Sequence, residues 1–373
     1  MSGRLFVFAG GGTGGHLAPG LAVADELRRC ESDCRIRFVG SGRPVEEQML
    51  SETGYERSAH DVLPLSQLRR RPLSFLRSHW QAYRRERASM RRDRPTAVIG
   101  LGGYVSVPVV LAAGREAVPV LLLEQNAVAG RANRLLARWF PICLTFQESQ
   151  QRLPCGATVH VTGNPLRSSI AKLHQAVAGN SVDRQYTTSQ TRTLLVVGGS
   201  LGSQQINDSV VSAIQDMGMT ALFGWRVVHQ TGPEGAEATA TAYERLHIEH
   251  IVQPFFPDLA EVYGQASLCI GRAGATTLTE LAASGVPAIL IPYPHAADDH
   301  QTANARIFEN AGAALVEGAP DRSSKPVDLS QSLRQLMTDD VRLDEMRSAM
   351  RSLARPDAAA AVANLLPAPG PSC

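Results

Sequence analysis

The 373-residue sequence contains no uninterrupted apolar run near the roughly 18 residues that a membrane-spanning helix needs, so no helical span is expected. Met1-Ser2-Gly3-Arg4 leads into Leu5–Ala9 before glycines intervene, which is too short for a signal-peptide core and reads as a first strand. Net charge is nearly absent: 37 Lys+Arg against 35 Asp+Glu leave +2, and nucleic acid is therefore not expected as a partner. Any basic function must be local. Cysteines at zinc spacing are lacking as well. Cys30, Cys34, Cys143, Cys155, Cys269 and Cys373 are scattered, and the close pair Cys30 and Cys34 has no histidine or second pair beside it, so reduced thiols are expected. No D-x-D triplet occurs. The segment Pro292-Tyr293-Pro294-His295-Ala296-Ala297-Asp298-Asp299-His300-Gln301 gathers histidines and carboxylates without the i, i+4 pair and third ligand of a zinc hydrolase, and no metal site is expected.

What is present is an ordinary globular composition, 44% apolar and 19% charged, in a chain too long for one core. Apolar runs at Leu5–Ala9, Ile36–Val39, Ala97–Gly100, Val118–Leu123, Ile142–Thr145 and Val159–Thr162 alternate with amphipathic stretches such as Leu17–Arg29. That alternation implies βαβ units and a parallel sheet. A polar stretch without strands follows Leu166. The pattern then restarts at Thr193–Val197, Arg226–Gln230, Ile251–Phe255, Leu268–Gly271, Ala288–Ile291 and Ala314–Val316. The expected organisation is a first domain over 1–168, a linker over 169–191, a second domain over 192–350, and a tail over 351–373. Pro356-Asp357 and the alanine-rich run to Leu366 make that tail a final helix, whose partner domain periodicity leaves open. Ligands of such sheets bind beyond the carboxyl ends of the strands, so the site is expected in a cleft between two facing halves.

Each half opens with a strand running into glycines and then a helix: Gly10-Gly11-Gly12-Thr13-Gly14-Gly15-His16 in the first, Gly198-Gly199-Ser200-Leu201-Gly202 in the second. Glycine permits positive φ and close backbone approach, and the helix start offers unpaired N–H groups to an anion. A nicotinamide reading wants an acidic residue after the second strand, but Ile36–Val39 leads into Gly40-Ser41-Gly42-Arg43. His16 stands at a helix N-terminus, which disfavours imidazolium and keeps the ring neutral and able to accept a proton; a merely loop-lining histidine is the competing reading. In Gly271-Arg272-Ala273-Gly274-Ala275-Thr276-Thr277-Leu278-Thr279-Glu280, two readings stand equal. Thr277 and Glu280 fit a capping box, or the loop amides face a diphosphate while Glu280 accepts from ribose hydroxyls.

Together these segments resemble the MurG family, cell-wall glycosyltransferases of the GT-B fold that add N-acetylglucosamine to a lipid-linked muramyl-pentapeptide. The resemblance runs in order through the first glycine loop, Gly102-Gly103-Tyr104-Val105-Ser106, Glu124-Gln125-Asn126, Gly163-Asn164-Pro165-Leu166-Arg167, the second glycine loop, Arg272-Ala273-Gly274-Ala275 and Asp299-His300-Gln301-Thr302-Ala303-Asn304. It implies an α/β architecture of two doubly wound Rossmann-like domains facing across a cleft. It also implies UDP-N-acetylglucosamine as donor substrate, undecaprenyl-linked muramyl-pentapeptide as acceptor, inversion without a bound metal or other cofactor, and a peripheral place at the cytoplasmic face of the plasma membrane. His16 is the candidate base. Thr13, Gly14 and Gly15 would approach the donor, with Asn126 and Gln301 at the transferred sugar. Arg167 and Ser200 would contact the uridine-diphosphate portion, Phe256 the uracil through its backbone, and Ala275, Thr276, Thr277, Leu278, Thr279 and Glu280 the diphosphate and ribose. Gly103 and Tyr104 would lie on the acceptor side. A UDP-N-acetylglucosamine epimerase, another glycolipid transferase of the same fold, and a non-catalytic nucleotide-binding module remain the competing classes.

Between Leu65 and Arg94 the chain is basic, with Arg69, Arg70, Arg71, Arg77, Arg84, Arg85, Arg87, Arg91, Arg92 and Arg94 against Glu86 and Asp93, and with Leu68, Leu73, Phe75, Leu76, Trp80 and Tyr83 interleaved. Such a helix either lies on an anionic membrane surface or packs its apolar side on the domain core with its arginines solvated.

Overall fold

Strands that are apolar throughout their length belong to sheets covered on both faces. The computed structural model describes residues 3–12, 14–51, 53–179, 191–199, 202–218, 222–318 and 323–368. The chain divides into two compact units, residues 1–168 with 355–373, and residues 169–354.

In the first unit β1 (Leu5–Gly10), β2 (Arg35–Gly40), β3 (Glu56–Ala59), β4 (Ala97–Gly102), β5 (Val120–Glu124), β6 (Ile142–Leu144) and β7 (Val159–Val161) form a seven-stranded parallel sheet ordered β3-β2-β1-β4-β5-β6-β7. Helices α1 (Gly14–Cys30) and α2 (Pro44–Leu50) send Leu17, Val23, Leu27 and Leu50 into one cluster with Phe6, Phe8 and Phe38. Helices α3 (Pro72–Asp93), α4 (Ser106–Arg115) and α5 (Arg131–Leu136) send Met90, Val109, Val110, Ala113 and Leu136 into another with Val7, Val98 and Leu122. The sheet is thus covered on both faces. Strand β3 has no counterpart in the sequence reading, because Glu56-Arg57-Ser58-Ala59 is an edge strand with no apolar run. Arg35 and Arg37 on the neighbouring strand pair with Glu56 at 2.6 and 2.9 Å, placing charge along that edge.

The stretch after Leu166 begins as a helix, α6 (Ser168–Gly179). Ser169 Oγ donates to Asp258 at 3.2 Å and the His174 ring to the Ala283 carbonyl at 2.8 Å, so this helix is attached to the second unit; residues 180–190 lie outside the described residues.

The second unit contains β8 (Arg192–Val197), α7 (Gln204–Met217), β9 (Trp225–Gln230), α8 (Ala236–Arg245), β10 (His250–Gln253), α9 (Leu259–Gln265), β11 (Leu268–Gly271), α10 (Ala275–Ser284), β12 (Ala288–Leu290), α11 (His300–Asn310), β13 (Ala314–Val316), α12 (Ser330–Thr338) and α13 (Asp340–Ser352). Its six parallel strands run β10-β9-β8-β11-β12-β13. Helix α14 (Ala358–Ala363) belongs to the first unit, where Val362 and Leu366 join the cluster around Phe6 and Leu17. That settles the partner of the tail helix.

Both sheets reverse their strand order at one place, between β1 and β4 in the first and between β8 and β11 in the second. Ligand crevices open at such reversals, beyond the strand carboxyl ends. The glycine loops leave those strands. Among the described residues no helix is long and apolar enough to cross a membrane.

Candidate active site

In the first unit the loops after β1 and β4 touch. Gly10 has φ 132°, and a β-carbon on it would stand 2.5 Å from the Gly102 carbonyl oxygen, so only glycine allows this approach. Thr13 lies outside the described residues; Gly14 and Gly15 open α1. His16, half-buried in the first turn of α1, lies against the β4 loop, since a β-carbon on Gly102 would be 3.5 Å from its Cδ2. Gly103 turns with φ 78° beneath Gly11, and Tyr104 packs on Val62, Ala82 and Val105. His16, Gly103 and Tyr104 are therefore brought together at the sheet's reversal point.

Two buried carboxylates shape these loops. Glu46, in the first turn of α2, accepts from the backbone amides of Gly12, Ser41 and Gly42 and from Ser41 Oγ. It occupies amide donors that a dinucleotide phosphate would use, which is a further argument against a nicotinamide site. Glu124, at the end of β5, accepts from Asn126 N at 3.0 Å, Gly130 N at 2.8 Å and Asn133 Nδ2 at 2.9 Å, while burial pushes its carboxyl up. It fixes the turn that carries Asn126. Arg167 is half-buried after β7, one residue before α6.

In the second unit the loop after β8 returns tightly at Gly202, whose φ is 75° and whose β-carbon would stand 2.0 Å from the Thr231 carbonyl oxygen. Ser200 lies outside the described residues. Gln230, buried at the end of β9, donates through Nε2 to the Gly199 carbonyl at 3.0 Å and accepts the Phe256 amide on Oε1 at 2.9 Å. The loop before α9 and the glycine loop are thereby tied together.

After β11 the chain turns through Gly274, the N-cap of α10, and no side chain caps this helix. Thr277 is thus inside the helix and Glu280 deeper still, so the capping-box reading is overturned. Glu280 is buried, with the Tyr263 hydroxyl 3.4 Å from Oε2. Thr276 and Thr277 are half-exposed in the first turn, whereas Leu278 is fully buried and its amide donates to the Gly274 carbonyl at 3.0 Å. Ala275 is also buried, and Thr279 Oγ1 donates back to the Ala275 carbonyl at 2.9 Å. Gln301 accepts the Tyr293 amide on Oε1 at 2.9 Å, and Asn304 Nδ2 donates to the Ala273 carbonyl at 3.0 Å, anchoring the loop before α10. Among the described residues no group of three or more His, Cys, Asp or Glu side chains is arranged to hold a metal ion.

Glu46 and Gln230 carried no signal in the sequence, since each acts through loop amides and carbonyls that only the fold brings near.

The profile of the glycosyltransferase family 28 N-terminal domain matches residues 6–141, and that of the family's C-terminal domain matches residues 193–362. The UDP-N-acetylglucosamine--N-acetylmuramyl-(pentapeptide) pyrophosphoryl-undecaprenol N-acetylglucosamine transferase of Syntrophotalea carbinolica is 38% identical over 93% of this chain and 94% of its own length. The chain belongs to the MurG family. The crystal structure of Acinetobacter baumannii MurG superposes with a TM-score of 0.74 at 31% identity, covering 97% of this chain and 99% of that one. A Listeria monocytogenes structure described as a UDP-N-acetylglucosamine 2-epimerase covers 97% of this chain and 95% of its own with a TM-score of 0.64, but at 14% identity it shares the fold alone. For a MurG-family enzyme the two parallel sheets are the two Rossmann-like halves of the GT-B architecture, and the chain is a glycosyltransferase.

Proposed function

We propose that this MurG-family chain transfers N-acetylglucosamine from UDP-N-acetylglucosamine to the muramyl 4-hydroxyl of undecaprenyl-diphosphate-linked muramyl-pentapeptide, with inversion at the anomeric carbon. The observation that carries this reading is the end-to-end relationship to transferases of that name, together with glycine loops at the reversal point of each sheet. The muramyl oxygen attacks C1 as UDP leaves from the opposite face, through an oxocarbenium-like centre. His16 takes the hydroxyl proton. Asn126, held by Glu124, and Gln301, held against Tyr293, contact the transferred sugar. Thr13, Gly14 and Gly15 approach the donor, and Gly103 and Tyr104 the acceptor. Phe256 meets uracil through its carbonyl, which suits the N–H of that base, and Glu280 accepts from the ribose. Arg167, Ser200 and the first turn of α10, from Ala275 to Thr279, meet the diphosphate, whose charge the loop amides and helix N-terminus then share without a metal.

The membrane reading rests on α3. Its second half packs through Ala82, Glu86 and Met90, with Arg87 and Arg91 paired to Glu116. Its first half does the opposite: Leu73 is 81% exposed and Leu76 and Trp80 are each 59% exposed, so this apolar side is not spent on the core. Among the described residues none of Arg69, Arg70, Arg71, Arg77, Arg84 and Arg85 is paired with a carboxylate. Exposed apolar groups among unpaired arginines suit the anionic cytoplasmic face of a bilayer, where the acceptor's lipid resides.

The test is incubation of the chain with labelled UDP-N-acetylglucosamine, with and without a short-chain lipid-linked muramyl-pentapeptide, in the presence of chelator. Acceptor-dependent release of UDP with labelled lipid product is expected. Donor conversion without acceptor refutes the reading in favour of an epimerase or hydrolase.

A further inference from the structure

A groove of about 710 Å³ lies in the first unit between helix α2 and strand β3. Its inner end is Gly10, in the glycine loop that leads to His16, and its floor is made by Leu17 and Phe38. Exposed Glu47 and Gln48 of α2 form one wall, and exposed Arg57 of β3 forms the other. The volume falls within the roughly 300–1,000 Å³ of ligand sites and is far larger than a packing void.

Strand register fixes the side on which Arg57 stands. Phe38 and Arg57 are direct cross-strand partners, and such partners share a face, so Arg57 belongs with Phe38 to the α1 and α2 side of the sheet. The other arginines of this edge serve the opposite side: Arg37 reaches Ser89 and Asp93 of α3, and Arg35 and Arg37 share Glu56. Their charge is matched. Among the described residues no carboxylate pairs with Arg57, and the Glu46 carboxylate that also lines the groove is taken by the amides of Gly12, Ser41 and Gly42. A cation thus faces the carboxylate of Glu47 across the groove. A ligand bearing carboxylates alone would be repelled at Glu47, and one bearing amines alone at Arg57. A short peptide suits both walls, with N–H donors for Glu47 and Gln48 and a carboxylate for Arg57.

We propose that this groove binds the peptide stem of the acceptor, with Arg57 pairing to one of its carboxylates. This rests on reading the chain as a transferase acting on a lipid-linked muramyl-pentapeptide. The stem hangs from the muramyl carbon next to the one that bears the attacking hydroxyl, so it leaves the sugar close to His16, where the groove begins. From β1 to β3 is two strand spacings, about 10 Å, and five extended residues span up to about 18 Å. The lipid diphosphate is attached across the ring from that hydroxyl, and α3, the helix read as meeting the bilayer, packs on the other face of the sheet. Stem and lipid therefore depart toward opposite faces.

The test measures transfer by the full chain to two short-chain lipid-linked muramyl acceptors, one carrying the pentapeptide and one whose lactyl group ends in a methyl amide. Wild type, Arg57→Ala and Arg57→Lys are compared. Wild type is expected to favour the pentapeptide acceptor. For Arg57→Ala, kcat/KM on that acceptor should fall about three- to tenfold, while the truncated acceptor and the donor KM stay within about twofold. Arg57→Lys keeps the charge and should recover part of the loss. Equal use of both acceptors by wild type, an unchanged kcat/KM in Arg57→Ala, or an equal fall on both acceptors in that variant would overturn the proposal. A wild-type chain that transfers to neither acceptor overturns it together with the transferase reading, which separates that failure from the others.

Discussion

Replacing Arg69, Arg70 and Arg71 by glutamate tests the membrane reading of α3 most directly. All three are exposed and unpaired among the described residues, beside exposed Leu68, Leu73, Leu76 and Trp80. An arginine near an anionic surface contributes on the order of 1 kcal/mol, so neutralising three lowers partitioning roughly 100-fold, and reversing them replaces attraction with repulsion of similar size. The apolar groups limit the loss, since each side chain that enters the interface gains up to about 1.5–3 kcal/mol. Flotation with vesicles containing anionic phosphatidylglycerol reads the effect. Wild type should float in 0.1 M salt and less so in 1 M salt, where the screening length falls from about 10 to about 3 Å. The triple variant should remain at the bottom in both. Replacing the exposed Arg245 at the end of α8 by glutamate serves as a control, and this variant should float like wild type. Equal flotation of wild type and the triple variant would show that α3 does not meet the bilayer through this end.

Three further outcomes follow from the site and the core. His16→Ala should lower kcat by about 10²- to 10⁴-fold with donor KM nearly unchanged; unaltered turnover with a normal pH profile removes His16 as the base. Glu124→Gln turns an amide donor toward the Asn126 or Gly130 N–H and should cost about 1–3 kcal/mol, lowering the melting temperature of the first unit by about 3–10 °C, whereas an unchanged melting curve means the turn is held otherwise. His229, buried between Tyr243 and Asn207, has its pKa lowered to about 3 by burial. The folded state therefore refuses a proton that the unfolded chain accepts below about 6.5, so this stability is complete above that pH and is lost as pH falls. Denaturant unfolding at pH 5 should show about 2 kcal/mol less stability than at pH 7 from this group, and His229→Gln should remove that part of the slope; an equal slope in the variant contradicts the assignment.

The strands of both sheets were legible because parallel strands buried on both faces become continuous apolar runs, as at Leu5–Ala9 and Thr193–Val197. Strand β3 was not, since an edge strand solvated on its outer side needs no apolar residues; its order comes from pairing with β2 and from Glu56 ion pairs. The polar start of α6 hid a helix for a related reason, because it is fastened by single hydrogen bonds from Ser169 and His174. The glycine loops were legible through composition, whereas spacing left the capping box and the ligand-facing reading of Thr277 and Glu280 equal, and only the start of α10 two residues before Thr277 removes the first. The roles of Glu46 and Gln230 depend on atoms far apart in sequence, so no local pattern could carry them.

Helix α14 makes the second unit an insertion within the first, with chain crossing at residues 168–169 and again at 354–355. Biosynthesis consequently completes the two units in an order opposite to their numbering. The pocket around Phe6 and Leu17 stays unfilled until Val362 and Leu366 emerge, about 200 residues after Ser168. At roughly 5–20 residues per second this is a delay of roughly 10–40 s during which part of that apolar surface is uncovered on the ribosome. The second unit, begun later, has all its residues first. Nascent chains halted before Val362 should therefore protect residues 192–350 from protease while leaving the first sheet susceptible.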